Sequence, residues 1–253
     1  MALVFDGVND TVSHGDIAAL DAPSAYTFAW WMTNDVTLSD ANDRIMQKSA
    51  SAGTNGFFCR LEPNDDDFKW FINATSWNGV DFFPDALFHH IAVVFDGSGA
   101  ANADRLKVYR DGAEITAASY TGTVPASQTD AGASNLTVGS GDTSFYVGTL
   151  GHLKIWTAAL TAGEVAQEVY SYTPIKKTNL LLWAPYDDTT ATDYSGNGHT
   201  GTVTEATAAT GPAQVNYGNA VLSATRARRA TRRSNLDSFR RLGPYPPLYW
   251  RGV

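Results

Sequence analysis

Phe88-His89-His90-Ile91-Ala92-Val93-Val94-Phe95-Asp96-Gly97 is the stretch whose reading decides the fold. A run of β-branched and aromatic residues closed by Asp-Gly reads as a buried strand ending in a turn. Just beyond it, Arg105-Leu106-Lys107-Val108-Tyr109-Arg110 alternates polar and apolar and meets Asp111-Gly112, which predicts a tight hairpin. Outward from this pair the same grammar repeats. Leu3-Val4-Phe5 is closed by Asp6-Gly7, and Tyr26 to Met32 is aromatic and alternates loosely. Phe57 to Glu62 and Phe68 to Ala74 form a pair joined by Pro63-Asn64-Asp65-Asp66-Asp67. Leu136 to Val138, Leu150 to Trp156 and Asn179 to Trp183 complete the set. Many short strands at near-regular spacing predict an all-β sandwich or barrel.

One short helix is predicted. Thr161 followed three residues later by Glu164 is a capping box, and Val165 and Val169 share a face before Pro174. From Thr204 to Thr210 the chain is Ala/Thr-rich, and residues 204–222 read equally as strand or linker.

Composition sets the bounds. The 253 residues are enough for one large sandwich without staples, and the single cysteine, Cys59, rules out an intrachain disulfide. No stretch approaches the roughly 18 unbroken apolar residues of a membrane helix, so no membrane partner is expected. The opening MALVFDGVND lacks the charged and apolar regions of a signal peptide. The net charge of −8 is partitioned: from Arg226 onward eight Arg face one acid, a net +7, which leaves −15 for the rest. An acidic body with a basic tail predicts an interaction arm.

In their order these motifs resemble the concanavalin A-like, laminin G-type jelly rolls. Leu3 to Asp10 is similar to their opening strand, Phe28-Ala29-Trp30-Trp31 to their second, and Phe88 to Gly97 to their Trp-His-His-Val-Ala strand with Phe in place of Trp. Val108 to Gly112 resembles the following hairpin, and Gly151 to Val165 the late strand and helix. Asp193-Tyr194-Ser195-Gly196-Asn197-Gly198-His199 resembles their Asp-Ser-Ser-Gly-Asn-Gly turn, although in that family the turn more often precedes the first strand. The resemblance covers residues 1–203. It implies a two-sheet antiparallel jelly roll over residues 1–222, followed by an arm over residues 223–253. Its members bind glycans, bind proteins, serve as modules on enzymes, or decorate virions and cell surfaces.

Enzymes of this fold carry a Glu-x-Asp-x-x-Glu strand whose carboxylates act as nucleophile and acid/base. The five Glu here (62, 114, 164, 168 and 205) form no such spacing, and no Gly-x-Ser-x-Gly elbow is present, so no catalytic residues and no enzyme activity are expected. Cys59 sits in an alternating strand and reads as an inert buried thiol. His89 and His90 point to opposite faces of one strand, one packed and one exposed, and do not chelate one ion.

Calcium is the cofactor that the resemblance implies. Asp193 and Asn197 match the family's ligand turn and Asp10 is placed nearby, while the late-strand Asp of the family is replaced by Gly151. The competing reading gives Asp193 and Asn197 a turn-shaping role alone. For glycans, Trp70, Trp77, Asn78 and Asp81 are the candidates, because they flank loops and pair rings with hydroxyl-reading groups; the competing reading places the rings in the core.

The arm carries Arg226, Arg228, Arg229, Arg232, Arg233, Arg240 and Arg241, then Tyr245, Tyr249 and Trp250 among prolines. Aromatic anchors in a Pro-spaced segment suit docking to a protein groove, either on a sister copy or on another component of a particle, more than nucleic acid alone. The expected function is a structural assembly protein of a virion, such as a capsid decoration, minor capsid or tail component. The alternative is a carbohydrate-binding lectin, calcium-dependent or not, at a cell surface or outside the cell.

Overall fold

A computed structural model describes residues 1–34, 43–49, 54–62, 67–116, 118–141, 144–187 and 189–212. The strands in chain order are β1 (Ala2–Asp6), β2 (Thr11–Asp16), β3 (Ala25–Met32), β4 (Asp43–Lys48), β5 (Phe57–Leu61) and β6 (Phe68–Ile72). They continue as β7 (Thr75–Gly79), β8 (His89–Asp96), β9 (Leu106–Arg110), β10 (Ala113–Glu114), β11 (Ser119–Thr121) and β12 (Asn135–Val138). The last are β13 (Ser140–Gly141), β14 (Ser144–Phe145), β15 (Val147–Trp156), β16 (Leu180–Ala184), β17 (Thr202–Thr204) and β18 (Thr207–Ala209). Among the described residues two α-helices accompany them, α1 (Asn102–Arg105) and α2 (Ala162–Glu168).

Two sheets of eight antiparallel strands form the sandwich. The first runs β10-β9-β8-β3-β15-β1-β18, with β16 also on β15; the second runs β11-β7-β6-β5-β4-β12-β2-β17. The deciding strand lies at the heart of the first sheet. In β8, Ile91, Val93 and Phe95 face the core, in register with Trp30, Phe28 and Tyr26 of β3. The Asp111-Gly112 turn has φ of +51° and +82°, the double positive pattern that matches strand twist in a two-residue hairpin.

Between the sheets the core is aromatic. Trp70 stacks on Phe57 at 5.3 Å and donates its indole N–H to the Tyr26 hydroxyl at 3.0 Å. Cys59 lies on this inner face and burial pushes its thiol pKa well up, consistent with an inert packing residue.

The outer face of the first sheet is covered in part. Ala29, Ala92, Val94, Tyr109 and Trp156 form a second apolar cluster with Leu160 and Val165, and α2 closes it. The predicted capping box is present: Glu164 N–H donates to Thr161 Oγ1 at 3.2 Å and Thr161 N–H to Glu164 Oε2 at 2.8 Å. The buried face of α2 is set by Val165 and Glu168 rather than by Val165 and Val169. The one-turn α1 was not expected, being too short for periodicity to register.

Other differences are local. His89 and His90 lie on opposite faces, but both are buried, because α2 and the chain after it cover the outer side; the expectation of one exposed ring is corrected. The stretch after residue 201 forms strands: β17 extends the second sheet and β18 the first, so it crosses the sandwich edge. The compact unit runs Met1–Gln214. The predicted arm (Arg226, Arg228, Arg229, Arg232, Arg233, Arg240, Arg241, Tyr245, Tyr249 and Trp250) and the 63–66 turn lie outside the described residues.

Candidate functional site

Two of the predicted glycan residues belong to the core. Trp70 and Trp77 are 0% and 1% exposed, on inner positions of β6 and β7, and Trp77 packs edge-on against Phe82. Neither offers a ring face to a sugar, and the expectation is corrected. The strand parity that puts Phe68, Trp70 and Ile72 inside also turns Lys69 and Phe71 outward. Asn78, half-buried on the outer side of β7, is tied to Ser76 and Thr121; Asp81, exposed, donates its N–H to Asp67.

The proposed calcium ligands do something else. Asp193 accepts hydrogen bonds from the N–H groups of Trp183, Ser195 and His199 and from the Ser195 hydroxyl. Burial would raise its pKa, but these bonds hold it below the usual carboxylate range. Asn197 Nδ2 donates to the carbonyls of Leu180 and Leu181, each at 2.9 Å; Ser195 Oγ also reaches Leu181, and Tyr194 N–H reaches the Trp183 carbonyl. The Asp193–His199 turn thus caps the open edge of β16, supplying the partners that a neighbouring strand would give.

Asp10 is engaged elsewhere. Its carboxylate accepts from Asp6 N–H at 2.6 Å, and burial, with Asp6 and Glu205 close by, raises its pKa. Gly151, where the family's Asp ligand would stand, is crowded: a Cβ there would lie 3.1 Å from that of Ala2. Among the described residues no group of three His, Cys, Asp or Glu side chains could hold a metal ion. Asp193 and Asn197 thus carry the hydrogen bonds that shape the turn, and Asp10 those of its own loop.

The capped edge displays an aromatic surface. In β16, Leu182 and Ala184 face the core, so Trp183 turns to the outer side of the sheet, where it is half-buried. Tyr194, 50% exposed, lies 5.6 Å from Trp183, and Trp183 meets Tyr172 at 5.8 Å. Tyr172 continues to His152 at 5.2 Å and donates its hydroxyl to Asp187 Oδ2 at 2.7 Å. His152 occupies a bulge of β15, with φ of +55°. Burial, then the Met1 amino group and Lys154, press its pKa down to about 4, against the opposing pull of Asp187. Trp183 was read as part of a buried strand and Tyr194 as part of a turn. Alternation would have shown Trp183 opposite Leu182, but not which of the two lies in the core.

Three of the five glutamates are held in ion pairs. Glu62 pairs with Arg60 and Lys69, Glu164 with Lys176, and Glu168 with Lys154. His89 has its two ring nitrogens at 2.7 Å from Asp111 and 3.0 Å from Asp85.

A family model described as the concanavalin A-like lectin/glucanases superfamily matches residues 6–166. No curated protein matches the chain. Among solved structures, a proposed carbohydrate-binding protein from Bacteroides ovatus superposes with a TM-score of 0.58 at 15% identity, over 85% of this chain and 62% of that one. A heptameric SAP-like pentraxin from Limulus polyphemus gives 0.47 at 14% identity, over 66% of this chain and 81% of that one. The CBM40 of a Ruminococcus gnavus IT-sialidase gives 0.48 at 10% identity, over 66% and 96%. At such identities the likeness is one of fold.

Proposed function

The chain belongs to the concanavalin A-like lectin/glucanase superfamily, and on that premise we propose that it is a non-catalytic carbohydrate-binding module acting outside the cell or at a cell surface. The observation that carries this reading is the surface of Tyr194 and Trp183, held in place by the edge-capping turn and continued by Tyr172, whose hydroxyl bonds Asp187. Sugars present C–H faces that pack on electron-rich rings and hydroxyls that donate to carboxylates. Rings fixed before binding lose little conformational freedom when a ligand arrives. The shared fold with the Bacteroides ovatus protein supports the same reading. The absence of catalysis is proposed because Glu62, Glu164 and Glu168 are each committed to a cation.

A glycan array followed by calorimetry tests it with the full chain, Tyr194→Ala and Trp183→Ala. Specific, saturable binding is expected, weakened about tenfold or more by either change, which corresponds to the loss of ~1.4 kcal/mol or more. No binding to any glycan, or binding indifferent to both changes, would end this reading. Release of new reducing ends from a bound polysaccharide would overturn the non-catalytic part.

The charge partition favours a second reading for the arm. A segment of net +7 on a body of net −15 is suited to acidic protein partners, including sister copies, in a larger particle such as a virion. An arm that assembles the particle and a sandwich that faces glycans are compatible.

A further inference from the structure

We infer that the Trp183–Tyr194 surface selects glycans carrying free amino groups, such as glucosamine units, over neutral, N-acetylated or anionic ones; this rests on the carbohydrate-binding reading above. The rings of Tyr172, Trp183 and Tyr194 follow one another at 5.8 and 5.6 Å, and their faces attract cations through the ring quadrupole. At the Tyr172 end of this row stands the Asp187 carboxylate. Tyr172 donates to its Oδ2 at 2.7 Å, which fixes the group's orientation while using one of its two oxygens. A sugar lying on Trp183 or Tyr194 with an ammonium toward Asp187 gains a charge-assisted hydrogen bond that a hydroxyl or acetamide does not give.

The surrounding charges favour the same sign. The Lys154 ammonium, the nearest Lys on β15, is buried and spent on Glu168 and the Ser171 carbonyl, so it does not draw an anionic ligand. His152, buried under Tyr172, is held neutral near pH 7 and adds no positive charge. Asp193, one residue before Tyr194, stays ionised within its cage of donors. A sulfated or sialylated glycan would meet the carboxylates of Asp187 and Asp193, with the Met1 amino group, which acts on His152, as the opposing positive charge. The residues concerned lie at 172–194, beyond the segment that matches the family model, so the feature belongs to this chain's own late segment.

The test is calorimetry with the full chain at about pH 6, where a sugar amine is protonated. The probes are a glucosamine hexamer, its N-acetylated counterpart, a cello-oligosaccharide and a sulfated oligosaccharide of equal length. The glucosamine oligomer is expected to bind about tenfold more tightly than the neutral ones, and the sulfated one most weakly. Asp187→Asn should erase the amine preference, so that the glucosamine oligomer binds no more tightly than the neutral ones. Tyr172→Phe keeps the charge and should keep the preference; thermal midpoints of both variants establish that they fold. Neutral binding without an amine preference, or a preference that survives Asp187→Asn, overturns the selectivity and leaves the carbohydrate reading intact. Failure of all four probes, with no glycan bound on the array, overturns both.

Discussion

Lys154 Nζ lies 2.5 Å from Glu168 Oε2, with both side chains almost wholly removed from water, so that the central strand β15 is bolted to α2 by a buried ion pair. The pair is well satisfied. Glu168 also accepts the Ile175 N–H at 2.6 Å, and Lys154 donates to the Ser171 carbonyl at 2.7 Å. Burial still disfavours both charges, lowering the pKa of Lys154 and raising that of Glu168 against their mutual attraction.

Removing one partner strands the other charge in an apolar layer. Glu168→Ala is expected to lower stability by about 3–5 kcal/mol, whereas Lys154→Met with Glu168→Leu should recover most of the loss. Urea unfolding of the two variants checks this. Equal losses for the single and the double change would mean that packing, not charge, sets the cost.

Acid should destabilise the fold through its buried histidines. His90 is pressed by burial to about 3, and His152 to about 4, well below the ordinary 6.5. Depressed folded values mean that the unfolded chain takes up protons first. The stabilisation is full above the unfolded pKa and is lost as pH falls through the window from 6.5 toward the folded values. Between about pH 6.5 and pH 5 each histidine costs roughly 2 kcal/mol. His90, beside Trp31 at 5.4 Å, can be replaced by Phe to flatten part of this limb. Urea midpoints at the two pH values, with and without His90→Phe, measure it, and identical slopes would sink the assignment.

The cap on β16 should act as a stability element rather than a metal site. Asp193→Ala leaves the N–H groups of Trp183, Ser195 and His199 without their acceptor, at a cost of about 1–3 kcal/mol. Thermal unfolding of the unaltered chain in calcium and in EDTA should give one midpoint. A clear rise with calcium that Asp193→Ala removes would restore the ligand role.

The arm is tested by mass in solution. The full chain is expected to assemble, and a version truncated after Ser223 to remain monomeric, with ~0.5 M salt weakening the assembly where arginines meet exposed acids. Two identical monomers would rule out self-assembly through the arm and direct the search to a separate partner.

What the sequence determined by itself is local. Alternation in β8 and β9, the Asp111-Gly112 hairpin with its two positive φ values, and the Thr161–Glu164 box are each written within a few residues, and each is found in the structure. The order of those motifs was enough for the two-sheet sandwich. Which side of a strand meets solvent was decided only by the tertiary structure. Trp70 and Trp183 both stand in short, largely apolar strands, yet one bonds Tyr26 in the core and the other lies against Tyr194. Alternation fixes that neighbours point to opposite faces; which face is buried depends on the sheet stacked across it. The same holds for the Asp193–Asn197 turn, whose residues suit calcium or a Gly-rich bend equally well until β16 lays its open edge alongside and takes up their hydrogen-bonding groups.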